Sequence, residues 1–172
     1  MIADRMQGFE ASGIRKVFDL AQKIKNPVNL SIGQPDFDIP EEVKQEAIKA
    51  IEGGFNRYTR TQGIPELGEK ILEKARKERG IKGDSIMITS GVAGALTLAF
   101  MVLINPGDEV LVPDPYFVSF KHLVNFCGGK AKFIDTYPDF ELTPERILPL
   151  ISPRTKIIII NSPSNPTGVV YN

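Results

Sequence analysis

From residue 86 onward, short apolar runs alternate with longer helix-forming stretches, and this alternation constrains the chain more than any other feature. "SIMIT" reads as a strand near residues 86–89, "VAGALTLAFMVL" as a helix and "EVLVPDP" as a strand near 109–112. "YFVSFKHLVNFCG" reads as a helix, "KAKFIDT" as a strand near 131–135 and "TPERILPLI" as a short helix. Thr143 stands at the cap position of that helix and Pro144 at its first turn. "KIIIINS", near 156–161, is the last strand. Apolar strands separated by helices predict βαβ units, hence a parallel sheet covered by helices on both faces, an α/β fold.

The residues before this alternation read differently. "GIRKVFDLAQKIK" (13–25) places Val17, Leu20, Ala21 and Ile24 at helical spacing, and Asn26-Pro27 ends that helix. "VNLSI" (28–32) is a short strand. Pro40 and Glu41 open a helix that Gly53-Gly54 stops, and Ile64-Pro65 starts a charged amphipathic helix running to about Gly80. We expect residues 1–45 to form an amino-terminal arm and small-domain segment, and 46–172 the first part of a larger domain.

Charge narrows the partners. Lys+Arg and Asp+Glu are 21 each, so no basic stripe argues for nucleic acid and no polybasic surface for a membrane. No apolar run approaches the roughly 20 residues that span a bilayer, and the first residues lack the apolar core of a signal peptide. The cytoplasm is the expected location. One cysteine, Cys127, leaves no internal disulfide and no multi-cysteine zinc pattern, and no metal site is expected.

Ligands of parallel α/β sheets bind beyond the carboxyl ends of the strands, and three loops there have unusual composition. In "ITSGVAGAL", Gly91 permits a sharp turn. The amides of Val92 and Ala93 then fall at a helix amino terminus, where free N–H groups and the helix dipole favour an anion. The motif is neither a P-loop nor a GxGxxG fingerprint; alone, it reads sooner as a strand-to-helix turn with no ligand. In "VPDPYFVSF", Tyr116 and Phe117 follow two prolines at the start of a helix, placed to cover a flat ligand or to pack as core. In "NSPSNPTG", Pro163 and Pro166 restrict the backbone around Asn165. An isolated Asn-Pro would instead be a turn whose asparagine bonds its own backbone.

The order of these loops resembles the class I aminotransferases, pyridoxal 5′-phosphate enzymes of the aspartate aminotransferase fold. The resemblance implies that the tract "NSPSNPTG" supplies Asn165 to the phenolic oxygen of the cofactor ring. It puts the turn at Gly91, with the amides of Val92 and Ala93, on the cofactor phosphate. Phe117 would stack on the ring, where many relatives carry Trp. "SIGQPDF" is similar to the family's GxPDF loop, which sets Gly33 against the substrate carboxylate. "YTRTQGIPELGEKI" is similar to the segment whose tyrosine, here Tyr58, reaches the phosphate of a neighbouring subunit, implying a homodimer.

The implied activity is transfer of an amino group between an amino acid and a 2-oxo acid. A lyase or synthase of the same fold, or a non-catalytic aminotransferase-like binding protein, are the alternatives. In the family, three groups lie downstream of the segment resembling "NSPSNPTG". They are the lysine that takes the cofactor aldehyde, the carboxylate facing the pyridine nitrogen and the arginine that binds the substrate carboxylate. No catalytic residue is therefore expected within these 172 residues, and the chain alone is not expected to transaminate. Lys121, Lys130 and Lys156 stand where solvated charges are typical. His122 reads as structural, and Asp36 and Asp114 read as turn caps.

Overall fold

The structure, a computed structural model, describes residues 2–6, positions 13, 17, 20, 21, 23–26, 28 and 33, and 35–171. Contacts divide the chain into two units, one of residues 13–89 and one of residues 1–12 with 90–172.

In the first of these, α1 (Glu41–Glu52) and α2 (Pro65–Arg79) run where Pro40 and Pro65 predict them, and end at Gly53 and Gly80. The helix expected over 13–25 is helical at Gly13, Val17, Leu20 and Ala21, and its other positions up to residue 22 lie outside the described residues. It stops short of Lys25. Lys23 and Ile24 donate to Leu20 O and Ala21 O, three residues back, and Asn26 is left-handed (φ 56°). The strand expected at 28–32 lies outside the described residues apart from Val28.

Residues 86–89 are not a strand, contrary to the apolar pattern. A strand needs a ladder, and here Ile88 N–H donates instead to Gln62 O at 2.9 Å, in the turn that carries the Arg60–Gly63 bridge. Gly63 makes that approach possible. It sits at φ 105°, and a Cβ there would lie 2.6 Å from Ile88 Cγ1.

The second unit contains a three-stranded parallel sheet of order β2-β1-β3, formed by β1 (Glu109–Asp114), β2 (Lys130–Asp135) and β3 (Thr155–Ile158). The β1–β2 register runs from Glu109↔Lys130 to Asp114↔Asp135. β3 is shorter than its isoleucine run predicts, and its pairing with β1 slips between Glu109 and Val110. Beyond β3 only Ile159 N–H continues the pairing, to Leu111 O at 3.0 Å.

Two helices cover one face, α3 (Gly91–Leu103) and α4 (Ser119–Phe126). Val110 and Val112 of β1 pack there with Phe100, Ile104, Phe120, Val124 and Ile159. Fully burying an apolar side chain of this size contributes about 1.5–3 kcal/mol. Against β2 packs α5 (Pro144–Ile147), continued by a 3-10 turn, Leu148–Leu150. Lys132 Nζ, on the face opposite Val110 and Val112, reaches Leu150 O at 2.7 Å. Thr143 stands at the cap position of α5, but its carbonyl rather than its hydroxyl accepts the Arg146 and Ile147 amides.

Candidate functional site

The three loops singled out in the sequence meet beyond the carboxyl end of the sheet, and from Ser90 onward they lie within the second unit. At the first, Gly91 turns the chain with φ 67°, a value favoured by glycine, and nothing stands within 4 Å of where a Cβ would be. Across the turn, Gly94 N–H donates to Ser90 O at 3.3 Å. The amides of Val92 and Ala93 precede it, and Ser90 does not cap them through its side chain. Helix-start N–H groups left in this way are met by water or by a ligand.

At the second loop, α4 starts at Ser119, three residues later than the aromatic pattern predicts. Each of the two rings before the helix has an aromatic partner. Tyr116 stacks on Phe133 of β2 (5.0 Å between centroids, 19° between planes), and Phe117 meets Phe120 edge-on at 5.8 Å. Phe117 remains 37% exposed, leaving ring surface open to a planar partner.

The third loop is tied by hydroxyl-bearing residues rather than by its asparagines. Ser164 is buried; its N–H donates to Val169 O at 2.8 Å and its carbonyl accepts Gly168 N–H at 2.7 Å. Ser162 Oγ accepts the Tyr171 amide at 3.0 Å and Thr167 Oγ1 the Val169 amide at 3.4 Å. Among the described residues, neither Asn161 nor Asn165 bonds its own backbone through its side chain. Asn165 is thus held from behind, its amide group bonded to none of the described residues.

Val92, Ala93, Phe117 and Asn165 line one cavity of about 170 Å³, joined by Ser119 and Asn161, with Leu96, Phe120 and Leu123 as its apolar part. Ser119 and Asn161 were not picked out from the sequence. The misplaced start of α4 hid Ser119, and Asn161 looked like strand exit. None of the lining side chains is ionisable, so positive potential there comes from the amino ends of α3 and α4, both of which open on the cavity. Amide donors, an amide side chain and an aromatic face around an apolar floor suit a flat aromatic ring carrying a phosphate. On these donors the residues present fit pyridoxal 5′-phosphate.

The other expected site residues lie in the first unit. Gly33 is exposed, with open space around it. Tyr58 is fully exposed and lines a separate cavity of about 320 Å³ with Phe55, Arg57 and Ile64. Lys121, Lys130 and Lys156 are exposed, and His122 is half-buried in α4. Among the described residues, Asp36 and Asp114 cap no turn through their side chains; Asp38, Asp108, Asp135 and Asp139 do, accepting from amides one to three residues away.

Comparison with known proteins supplies the family. Residues 25–172 match the family model for aminotransferase class I and II. The chain is 42% identical to a probable aspartate aminotransferase of Methanocaldococcus jannaschii over 100% of its own length and 46% of the relative's. It is 40% identical to aromatic-amino-acid aminotransferase 2 of Thermococcus litoralis, over 98% of this chain and 45% of that one. Among solved structures, aspartate aminotransferase from Thermus thermophilus with maleate superposes with a TM-score of 0.92 at 38% identity, covering 100% of this chain and 47% of that one. The chain therefore spans about half the length of the relatives it matches. It belongs to the class I and II aminotransferases, a family dependent on pyridoxal 5′-phosphate.

Proposed function

We propose that this chain is the amino-terminal portion of an enzyme that moves an amino group between an amino acid and a 2-oxo acid, working as a cytoplasmic homodimer. The observation that carries this reading is the convergence of Val92, Ala93, Phe117 and Asn165 on one cavity in a chain of this family. Bound pyridoxal 5′-phosphate would supply the electron sink that such a transfer needs. The chain's own residues bind and orient it. The amides of Val92 and Ala93, beside Gly91, take the phosphate; Phe117 covers the ring; Asn165 donates to the phenolic oxygen. Gly33 leaves room for the substrate carboxylate, and Tyr58 reaches the neighbouring subunit's phosphate site. Residues 1–45 form the arm and small-domain segment and 46–172 the first part of the cofactor domain.

Two measurements test this. Equilibrium binding of pyridoxal 5′-phosphate, followed by absorbance and competed with inorganic phosphate, should be specific and sensitive to Gly91 and Ala93. In the full-length enzyme, a Tyr58→Phe subunit mixed with one lacking the cofactor-binding lysine should give hybrids whose activity departs from the sum of the parents. Binding indifferent to the Gly91 turn, or a fully active monomer, rejects the assignment.

A further inference from the structure

Along β3 and its continuation, burial alternates. Ile157 packs against the core and Ile159 belongs to it, whereas Lys156, Ile158 and Ile160 are exposed. The two-residue period of a strand makes Asn161 the next member of the inward row. Asn161 is half-buried and lines the candidate cavity beside Leu96, Phe120 and Leu123. Those three also belong to the core or pack against it. The cavity is therefore the open end of the core, and Asn161 stands among its apolar residues.

Packing alone does not call for an amide there. An aliphatic side chain would extend the row of Ile157 and Ile159 and bury apolar area, whereas an amide taken from water without partners loses its hydrogen bonds. The side chain of Asn161 bonds none of the described residues. Nor is it sealed in. Among the described residues no fully buried side-chain polar atom lacks a partner, so the Asn161 amide faces the open cavity. Asn165, by contrast, is exposed and reaches the same cavity from the loop beyond.

We propose that Asn161 is a second amide contact to the bound ring, its carboxamide hydrogen-bonding a polar atom on the ring edge that enters the cavity deepest. This inference rests on the pyridoxal 5′-phosphate reading above and adds a residue to it. A carboxamide both donates and accepts, so it serves a ring nitrogen or oxygen without bringing charge into a cavity whose lining has none. Apolar packing is forgone at this position for a ligand contact. Removing the amide should then weaken binding without weakening the fold.

The test is titration of the full-length apoprotein with 4′-deoxypyridoxine 5′-phosphate, followed by the ligand's absorbance. That compound lacks the aldehyde and cannot react with a lysine. Inorganic phosphate is the competing probe, and wild type, Asn161→Ala and Asn161→Val are compared. Asn161→Ala should bind the ring compound about 3- to 10-fold more weakly, the loss of one neutral hydrogen bond, and inorganic phosphate within about twofold of wild type. Asn161→Val, which extends the isoleucine row, should bind as weakly and unfold in urea at or above the wild-type midpoint. Equal affinities of wild type and Asn161→Ala for the ring compound overturn the inference and leave the wider reading standing. So does a parallel loss of affinity for inorganic phosphate, which would place the effect at the phosphate turn. A valine variant less stable than wild type, or unable to fold, also overturns it, since Asn161 would then hold the fold. A wild type that binds the ring compound no better than inorganic phosphate rejects the ring site itself, and this inference with it.

Discussion

The two ends of the sheet treat their polar groups in opposite ways. At the amino end Glu109 is 6% exposed and fully engaged. Ser152 Oγ donates to its Oε2 at 2.6 Å, Lys132 Nζ to the same oxygen at 3.3 Å, and Arg154 reaches Oε1 at 3.4 Å. Those partners come from β2 and from the approach to β3, so the carboxylate ties all three strands together. At the carboxyl end, the amides of Val92 and Ala93 and the side chain of Asn165 are held in place without a hydrogen-bond partner among the described residues. Burial explains the difference. A charge taken out of water must be paired where it sits, whereas exposed donors at a helix start can wait for a ligand. On the proposed reading the internally satisfied end serves stability and the open end binding, and substitutions should separate the two.

The largest effect is expected at the open end. Ala93→Pro deletes one amide donor in the first helical turn, and losing a hydrogen bond to a charged group costs about 1.5–3 kcal/mol. Affinity for pyridoxal 5′-phosphate should fall by roughly 10- to 150-fold with little change in unfolding midpoint. Equal losses of affinity and stability would erase the distinction between the ends. Asn165→Ala should act more weakly, costing about 1 kcal/mol of affinity while shifting the pH dependence of the bound ligand's absorbance. A titration that overlays wild type removes Asn165 from the ring.

Thr136 sharpens the comparison, because it is a satisfied group at the open end. It is 1% exposed, and its Oγ1 donates to Asp114 O at 2.7 Å. Thr136→Val should lose about 0.5–1.5 kcal/mol of stability and leave ligand affinity unchanged, as measured by urea unfolding beside a binding titration. If affinity falls instead, position at the carboxyl end matters more than satisfaction.

Glu109→Gln keeps shape and still accepts from Ser152, so its effect at neutral pH should be the smallest. The signature is in the pH dependence. Hydrogen bonding from Ser152 first, then from Lys132 with the charges of Lys132 and Arg154, holds the Glu109 carboxyl below its ordinary range against the opposing effect of burial. A carboxyl lowered by folding contributes stability above its unfolded pKa, and that contribution is lost as pH falls through the folded value. Wild type should therefore exceed Glu109→Gln in unfolding midpoint at pH 7 and converge with it in acid. Parallel curves from neutral to acid pH would show that the charge contributes nothing.

Helix boundaries were legible where one residue imposes them. Pro65 begins α2, Gly53 and Gly80 end α1 and α2, and Gly91 opens α3, each through backbone restrictions that act locally. The candidate site was legible for a related reason: its loops carry the glycine and prolines that turn the chain at strand ends, and their order resembles a known family. Elements that depend on partners distant in sequence were misread. Residues 86–89 have a strand's composition, but Ile88 bonds Gln62 instead of a neighbouring strand, and α4 starts only after Tyr116, whose ring pairs with Phe133.

Arg146 shows the same limit from the side of charge. It donates to Asp139 and to the carbonyls of Thr136, Tyr137 and Glu141, organising the turn after β2. In the sequence it is one basic residue in a short helix. By itself the sequence determined the βαβ order, the helix ends and which loops could carry chemistry, because dihedral limits and apolar periodicity act within a few residues. Only the tertiary structure decided which strands form a ladder, which polar groups are buried in pairs and which donors remain open, since those outcomes need partners tens of residues away.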